Sequence, residues 1–280
     1  MKISSKKFKS LENKAITLLG MSGVGKTTLA NKLDQSQWFH YSGDYRIGTK
    51  YLEESILDNI KAKAMRIDFL ADLLRSDSIY ICSNITVNNL EPVSTFLGKV
   101  GNPDLGGLDL SEFKNRQKLH RQAEIYAMLD VPHFIGKAKN IYGYPNFLND
   151  AGGSLCELND PSVFEVLSQN TLILYIRADQ EHEETLCERA VTSPKPLYFQ
   201  EEFLDKHLDM FMQENNLSEV EEINPDEFGS WVFPKLLEHR KPLYESIADQ
   251  YGYAVNLHDI QDVRDESDFI ELICQSIDQS

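Results

Sequence analysis

Five short apolar runs of strand length punctuate the chain, at 15–19, 38–41, 146–150, 171–176 and 253–257. Between them the apolar residues recur at helical spacing. A helix over 26–33 follows the first strand, and Leu52, Ile56, Ile60, Ala64, Ile67, Leu70 and Leu74 form one stripe that predicts a single long helix after the second. An amphipathic stretch spans 111–128, and a last helix over 267–277 has Ser267 placed to cap it. Strands that alternate with helices predict an α/β fold with a mainly parallel five-stranded sheet flanked by helices. The interval 50–144 is long for one crossover and reads as a helical insertion. The acidic segment within 200–245 reads as a helical elaboration of a single domain covering 1–280.

Composition supports a compact core. The 280 residues are 41% hydrophobic and 26% charged, and no period of 20 to 50 residues recurs. Charge changes the picture more. With 28 Lys and Arg against 44 Asp and Glu, the formal net charge is −16, which repels phosphate backbones and anionic lipid. A general nucleic-acid binder and a membrane-surface protein are both disfavoured. No run reaches the 18 apolar residues of a membrane span, and the basic segment 1–14 lacks the apolar core of a signal peptide, so the expected location is cytoplasmic. Cys82, Cys156, Cys187 and Cys274 are far apart, without metal-ligand spacing, and read as reduced thiols.

The strongest chemical signal is Gly20-Met-Ser-Gly-Val-Gly-Lys-Thr27, which satisfies G-x-x-x-x-G-K-[ST] between an apolar strand and a helix. Its glycines let successive N–H groups point inward at phosphate oxygens, and the following helix adds positive potential. Lys26 is expected to reach the β- and γ-phosphates, and the Thr27 hydroxyl to ligate Mg²⁺. The expected nucleotide-binding set is Gly20, Ser22, Gly23, Val24, Gly25, Lys26, Thr27 and Thr28. In this the chain resembles the P-loop NTPases. Asn31-Lys-Leu-Asp34 matches the guanine-reading N-K-x-D of GTPases, but it rides the helix directly after the loop rather than a later strand end, so ATP is favoured over GTP.

The second strand breaks into Ser42-Gly-Asp44-Tyr-Arg46 at what would be its carboxyl end, where open α/β sheets bind ligands. A carboxylate there can orient or deprotonate an acceptor hydroxyl, and a guanidinium can grip an anionic group; an Asx turn at Asp44 with a surface Arg46 is the competing reading. A P-loop, a helix and a second strand ending in Asp with a nearby Tyr-Arg resemble the nucleoside monophosphate kinase and shikimate kinase superfamily. That resemblance implies a three-layer P-loop fold and acceptor contacts at Asp44 and Arg46. No standard acceptor-binding insert is recognisable over 50–144.

Asp150, at the exit of the third strand, is the expected acid that holds Mg²⁺. Asp150-Ala-Gly-Gly153 also fits the D-x-x-G of GTPases, which would bring the Gly153 N–H near a γ-phosphate. A plain Asp-Gly turn competes with both, and Glu157 is an alternative acid. In the kinase superfamily the strand at 171–176 leads to a lid helix whose arginines neutralise the transferring phosphoryl group. This implies Arg189 as a catalytic residue, followed by Arg177 and Lys195, against surface pairing with Glu183, Glu184 or Glu188. Lys114, Arg116, Lys118, His120 and Arg121 concentrate cations on 111–121, and Arg116 and Arg121 are expected to grip an anionic acceptor unless the run is a solvated face. These residues favour a kinase that takes Lys26, Asp44 and Arg189 as its catalytic groups, with ATP, Mg²⁺ and a small-molecule or nucleotide acceptor as ligands. An ATPase, whether hydrolase, switch or machine subunit, and a regulatory nucleotide-binding module remain open.

Overall fold

The computed structural model describes residues 2–280. The chain divides into two compact units, each considered by itself. The sheet unit is Met1–Gly43, Glu124–Pro194 and Asp226–Ser280; the helical unit is Asp44–Ala123 and Lys195–Pro225. The helical unit overlaps the interval read as an insertion, 50–144, and also holds the segment that follows Pro194.

The sheet unit is built on five parallel strands, β1 (Ala15–Leu19), β2 (Trp38–Ser42), β3 (Asn146–Asp150), β4 (Leu172–Arg177) and β5 (Gly252–Asn256), in the order β2-β3-β1-β4-β5. β1 lies in the centre, and Ile16 to Leu19 are all buried, as a strand covered on both faces requires. β3 is also buried along its whole length although only Phe147 and Leu148 are apolar. Its asparagine side chains bond to neighbouring segments. Asn149 Nδ2 donates to Thr17 Oγ1 at 3.2 Å, Thr17 and Thr171 share a hydroxyl bond at 2.8 Å, and Asn146 Oδ1 accepts from the Lys14 amide. Alternation in β2 sets the two layers. Trp38 meets Phe269 of the Glu266–Gln279 helix, whereas Tyr41 packs on Phe134 of the Val131–Asn140 helix and Phe39 on Tyr142 just beyond it.

β1 connects toward β2 on one side and β3 toward β4 on the other, so neighbouring strands β1 and β3 send their chains in opposite directions. That arrangement opens a crevice at their carboxyl ends. The last helix is Glu266–Gln279, capped by Asp265, whose side chain accepts from the Asp268 amide at 3.1 Å. Ser267 is therefore not the cap; the carboxylate two residues earlier takes that role. No helix among the described residues is long and apolar enough to cross a membrane.

In the helical unit the stripe from Leu52 to Leu74 belongs to two helices, Glu53–Ala64 and Asp68–Arg75. Ile67 takes an extended conformation and is exposed, and Asp68 begins the second helix where its charge suits the helix N-terminus. Gly43–Arg46 forms a helical turn that runs into a wider-wound segment, Ile47–Tyr51, closed by the Leu52 amide on the Ile47 carbonyl at 2.9 Å. The acidic Glu201–Asn215 helix contributes Phe203 and Phe211 to a core that also holds Phe113 and Phe199.

Candidate functional site

The loop between β1 and the Lys26–Lys32 helix opens directly onto the crevice. Ser22 and Gly23 are exposed, and Gly23 has φ +94, a conformation L side chains rarely adopt. Lys26 folds back into the loop. Its Nζ donates to the Gly20 carbonyl at 2.7 Å and the Met21 carbonyl at 3.0 Å, and the residue is 7% exposed. The loop thus carries a cation at its centre, held by its own carbonyls.

Asp150 leaves β3 beside this loop. Thr27 Oγ1 donates to Asp150 Oδ2 at 2.6 Å, and the His40 Nε2 lies 3.5 Å from the same oxygen. Burial pushes the Asp150 carboxyl up, yet the His40 ring, the Lys26 charge and the Thr27 hydroxyl outweigh it and hold the group below the ordinary carboxylate range. A hydroxyl and an ionised carboxylate in contact are hard oxygen donors of the kind Mg²⁺ takes. The alternative acid, Glu157, is fully buried and paired with Arg240.

After Asp150 the chain makes a tight return. Gly153 lies so close to the loop that a Cβ added there would stand 2.7 Å from the Ser22 amide nitrogen. Ser154 donates to Glu124 Oε2 at 2.6 Å, which fixes the following residue. The end of β2 reaches the same place, since a Cβ on Gly43 would sit 3.4 Å from the Asp150 carbonyl oxygen and 3.6 Å from the Gly152 nitrogen. Asp44 is the next residue along the chain and is half-buried.

β4 leads through Asp179, whose side chain accepts from the His182 amide at 2.8 Å, into the Gln180–Thr192 helix. This helix touches the loop: His182 Nε2 hydrogen-bonds to the Gly23 carbonyl at 3.2 Å, and the Leu186 side chain fills the space a Cβ on Gly23 would need. Arg189 follows at the i, i+4, i+7 spacing of His182 and Leu186, on the same face, and is exposed. Glu183, one of the acids weighed as its partner, pairs with Lys241 at 2.6 Å. Arg177 binds Glu245 through two bonds of 2.6 Å and is committed to the Pro225–Tyr251 helix.

The cation run on the Leu110–Leu129 helix has mostly internal employment within the helical unit. Lys114 pairs with Asp205 and Glu201, at 2.7 and 3.3 Å. Arg116 is 6% exposed and donates to Glu112, the Phe96 carbonyl and Asn59. Arg121 is half-buried on the same helix, and the guanidinium of Arg46 lies 5.5 Å from the Tyr51 ring centre. Sequence reasoning missed His40, His182 and the pair Arg240 and Tyr244. The last two had a visible signal, because Val232, Leu236, Arg240, Tyr244 and Ala248 follow at four-residue steps and all are buried, so a cation stands in an apolar stripe.

A strand, a G-x-x-x-x-G-K-T loop and a helix at the switch point of a parallel sheet define an α/β P-loop fold. No protein-family model matches the chain, and no curated protein matches it. Among solved structures the chain is similar to the shikimate kinase from Bacteroides thetaiotaomicron, with 15% identity, 95% of each chain covered and a TM-score of 0.37. That likeness is too distant to carry an argument about activity.

Proposed function

We propose that this protein is an ATP-dependent phosphotransferase acting on a small-molecule or nucleotide acceptor. The observation that carries the reading is the 2.6 Å contact between Thr27 and Asp150, at a loop that holds the Lys26 ammonium in its centre. In this reading Lys26 leaves its loop carbonyls to face the β- and γ-phosphates, and the loop amides from Ser22 to Thr27 hold the remaining phosphate oxygens. Thr27 and Asp150 would hold Mg²⁺, which neutralises charge on the phosphates when bound.

Two features favour transfer to an acceptor over simple hydrolysis. Asp44 follows directly on a strand end packed against the Asp150 and Gly152 backbone, and a carboxylate at that position can accept an acceptor's hydroxyl proton. Arg189 shares a helix face with two residues that touch the loop, and a guanidinium there can neutralise charge that develops during transfer. A hydrolase would use Lys26, Thr27 and Asp150 in the same way, and the close approach of Gly153 to Ser22 would serve it equally. ADP release measured across nucleosides, nucleotides, sugars and small metabolites, beside an ATP-only control, tests the reading. Release that requires one acceptor supports it; release from ATP alone, unaffected by every acceptor, contradicts it.

A further inference from the structure

The buried groups that no step above employs converge on one carbonyl. Arg240 Nη1 donates to the Gly153 oxygen at 2.9 Å, and the Tyr244 hydroxyl donates to the same oxygen at 2.6 Å. Two donors fill both lone pairs of that carbonyl. Arg240 also bonds Glu157 through Nε at 2.7 Å and through Nη2, and its Nη1 lies 3.9 Å from the Met21 sulfur inside the phosphate loop. Tyr244 is held flat on Tyr175 of β4, with ring centres 5.1 Å apart and planes 12° from parallel. Arg240 is 3% exposed, and Glu157 and Tyr244 are fully buried.

Stability alone is a poor account of this cluster. An ion pair taken wholly out of water gains little over apolar side chains of similar volume, and the neighbours at positions 232, 236 and 248 on the same helix face are apolar. A guanidinium differs from an apolar side chain in being directional. Here one edge of the fork is fixed by Glu157, and an Nη1 N–H is aimed at Gly153. Gly153 in turn abuts the Ser22 backbone, closely enough that no Cβ fits between.

We infer that Arg240 and Tyr244 are positioning residues of the phosphate site: by gripping the Gly153 carbonyl they hold the turn after β3 against Ser22 and so fix the placement of the loop amides. The inference rests on the nucleotide-binding reading of the loop. It predicts that loosening the grip widens the loop and weakens nucleotide binding without unfolding the sheet.

Tyr244→Phe removes one donor and keeps the stacked ring, and Arg240→Lys keeps a cation beside Glu157 but loses the fork. Ile273→Val, in the buried core of the Glu266–Gln279 helix, serves as a control for a general loss of stability. The measurements are titration with ADP in the presence of Mg²⁺, thermal unfolding, and amide hydrogen exchange of the peptide covering residues 20–27 without nucleotide. Both grip variants should exchange the loop amides faster than wild type and bind ADP roughly tenfold more weakly, a loss of about one hydrogen bond to a charged or buried partner. Ile273→Val should leave both readouts unchanged. Loop exchange and ADP affinity equal to wild type in folded Tyr244→Phe and Arg240→Lys would overturn the inference. Faster loop exchange in the variants of a protein whose wild type does not bind ADP would uphold the grip and overturn the nucleotide reading alone.

Discussion

Replacing Lys26 by Ala separates a pocket residue from a core strut. In the free protein the ammonium makes two charge-assisted bonds, to the Gly20 and Met21 carbonyls. Bonds of this kind contribute about 1.5–3 kcal/mol each. Much of that is returned when the ammonium is removed, because its desolvation cost disappears as well and water can reach a loop whose Ser22 and Gly23 are exposed. The net cost to folding should be about 1–2 kcal/mol, or a melting temperature lower by roughly 2–8 °C for a chain of this length. Nucleotide binding should suffer more. The variant loses the charge-assisted bonds from this ammonium to the β- and γ-phosphates, together about 3–4 kcal/mol, which is about 10²–10³ in Kd. Thermal unfolding with and without Mg²⁺ and ATP reads both effects at once, since ligand at 100 times its Kd stabilises the native state by about 2.7 kcal/mol. Wild type should therefore gain several degrees from ATP, and Lys26→Ala none. An equal gain in the variant would refute the assignment of the loop, and global unfolding of the variant would make Lys26 a structural residue.

Three further outcomes follow from the same geometry. Asp44→Asn should lower acceptor-dependent transfer by about 10²–10⁴ with ATP affinity nearly unchanged, measured as ADP release beside an ATP titration; full transfer would remove Asp44 from the acceptor site. Arg189→Ala should lower kcat by about 10³, equivalent to about 4 kcal/mol, with little change in ATP affinity, and near-normal turnover in a single-turnover assay would return Arg189 to the helix surface. Burial pushes the Cys156 thiol up to about 12, so at pH 8 about 10⁻⁴ of it is thiolate. Alkylation of the folded protein followed by peptide mapping should label exposed Cys82 and spare Cys156, and comparable rates at the two would contradict the packing around Glu157 and Arg240.

What the sequence made legible was local or periodic. The phosphate loop is eight consecutive residues, and its strand and helix follow within a few positions of the predicted ones. β3 was readable in its bounds even though its polar residues look wrong for a central strand; Thr17, which accepts from Asn149, lies on β1, and Thr171, which bonds Thr17, directly precedes β4. The helix stripe from Leu52 to Leu74 misled because apolar spacing does not register an extended residue at Ile67. Pairings between distant segments were beyond reach. Nothing near Arg177 points to Glu245, nothing near Gly23 points to His182, and the cations on 114–116 find Asp205, Phe96 and Asn59 only once the helical unit is folded.

The fate of the γ-phosphoryl group tests the central claim most directly. Phosphorus NMR of Mg²⁺ and ATP incubated with the protein and an acceptor from the panel follows that group by its chemical shift. The account predicts that the γ-resonance is replaced by a new phosphoester signal in equal amount to ADP, with inorganic phosphate near the level of a protein-free control. Loss of the γ-resonance to inorganic phosphate alone, at the same rate with or without acceptor, would contradict it and make the protein a hydrolase.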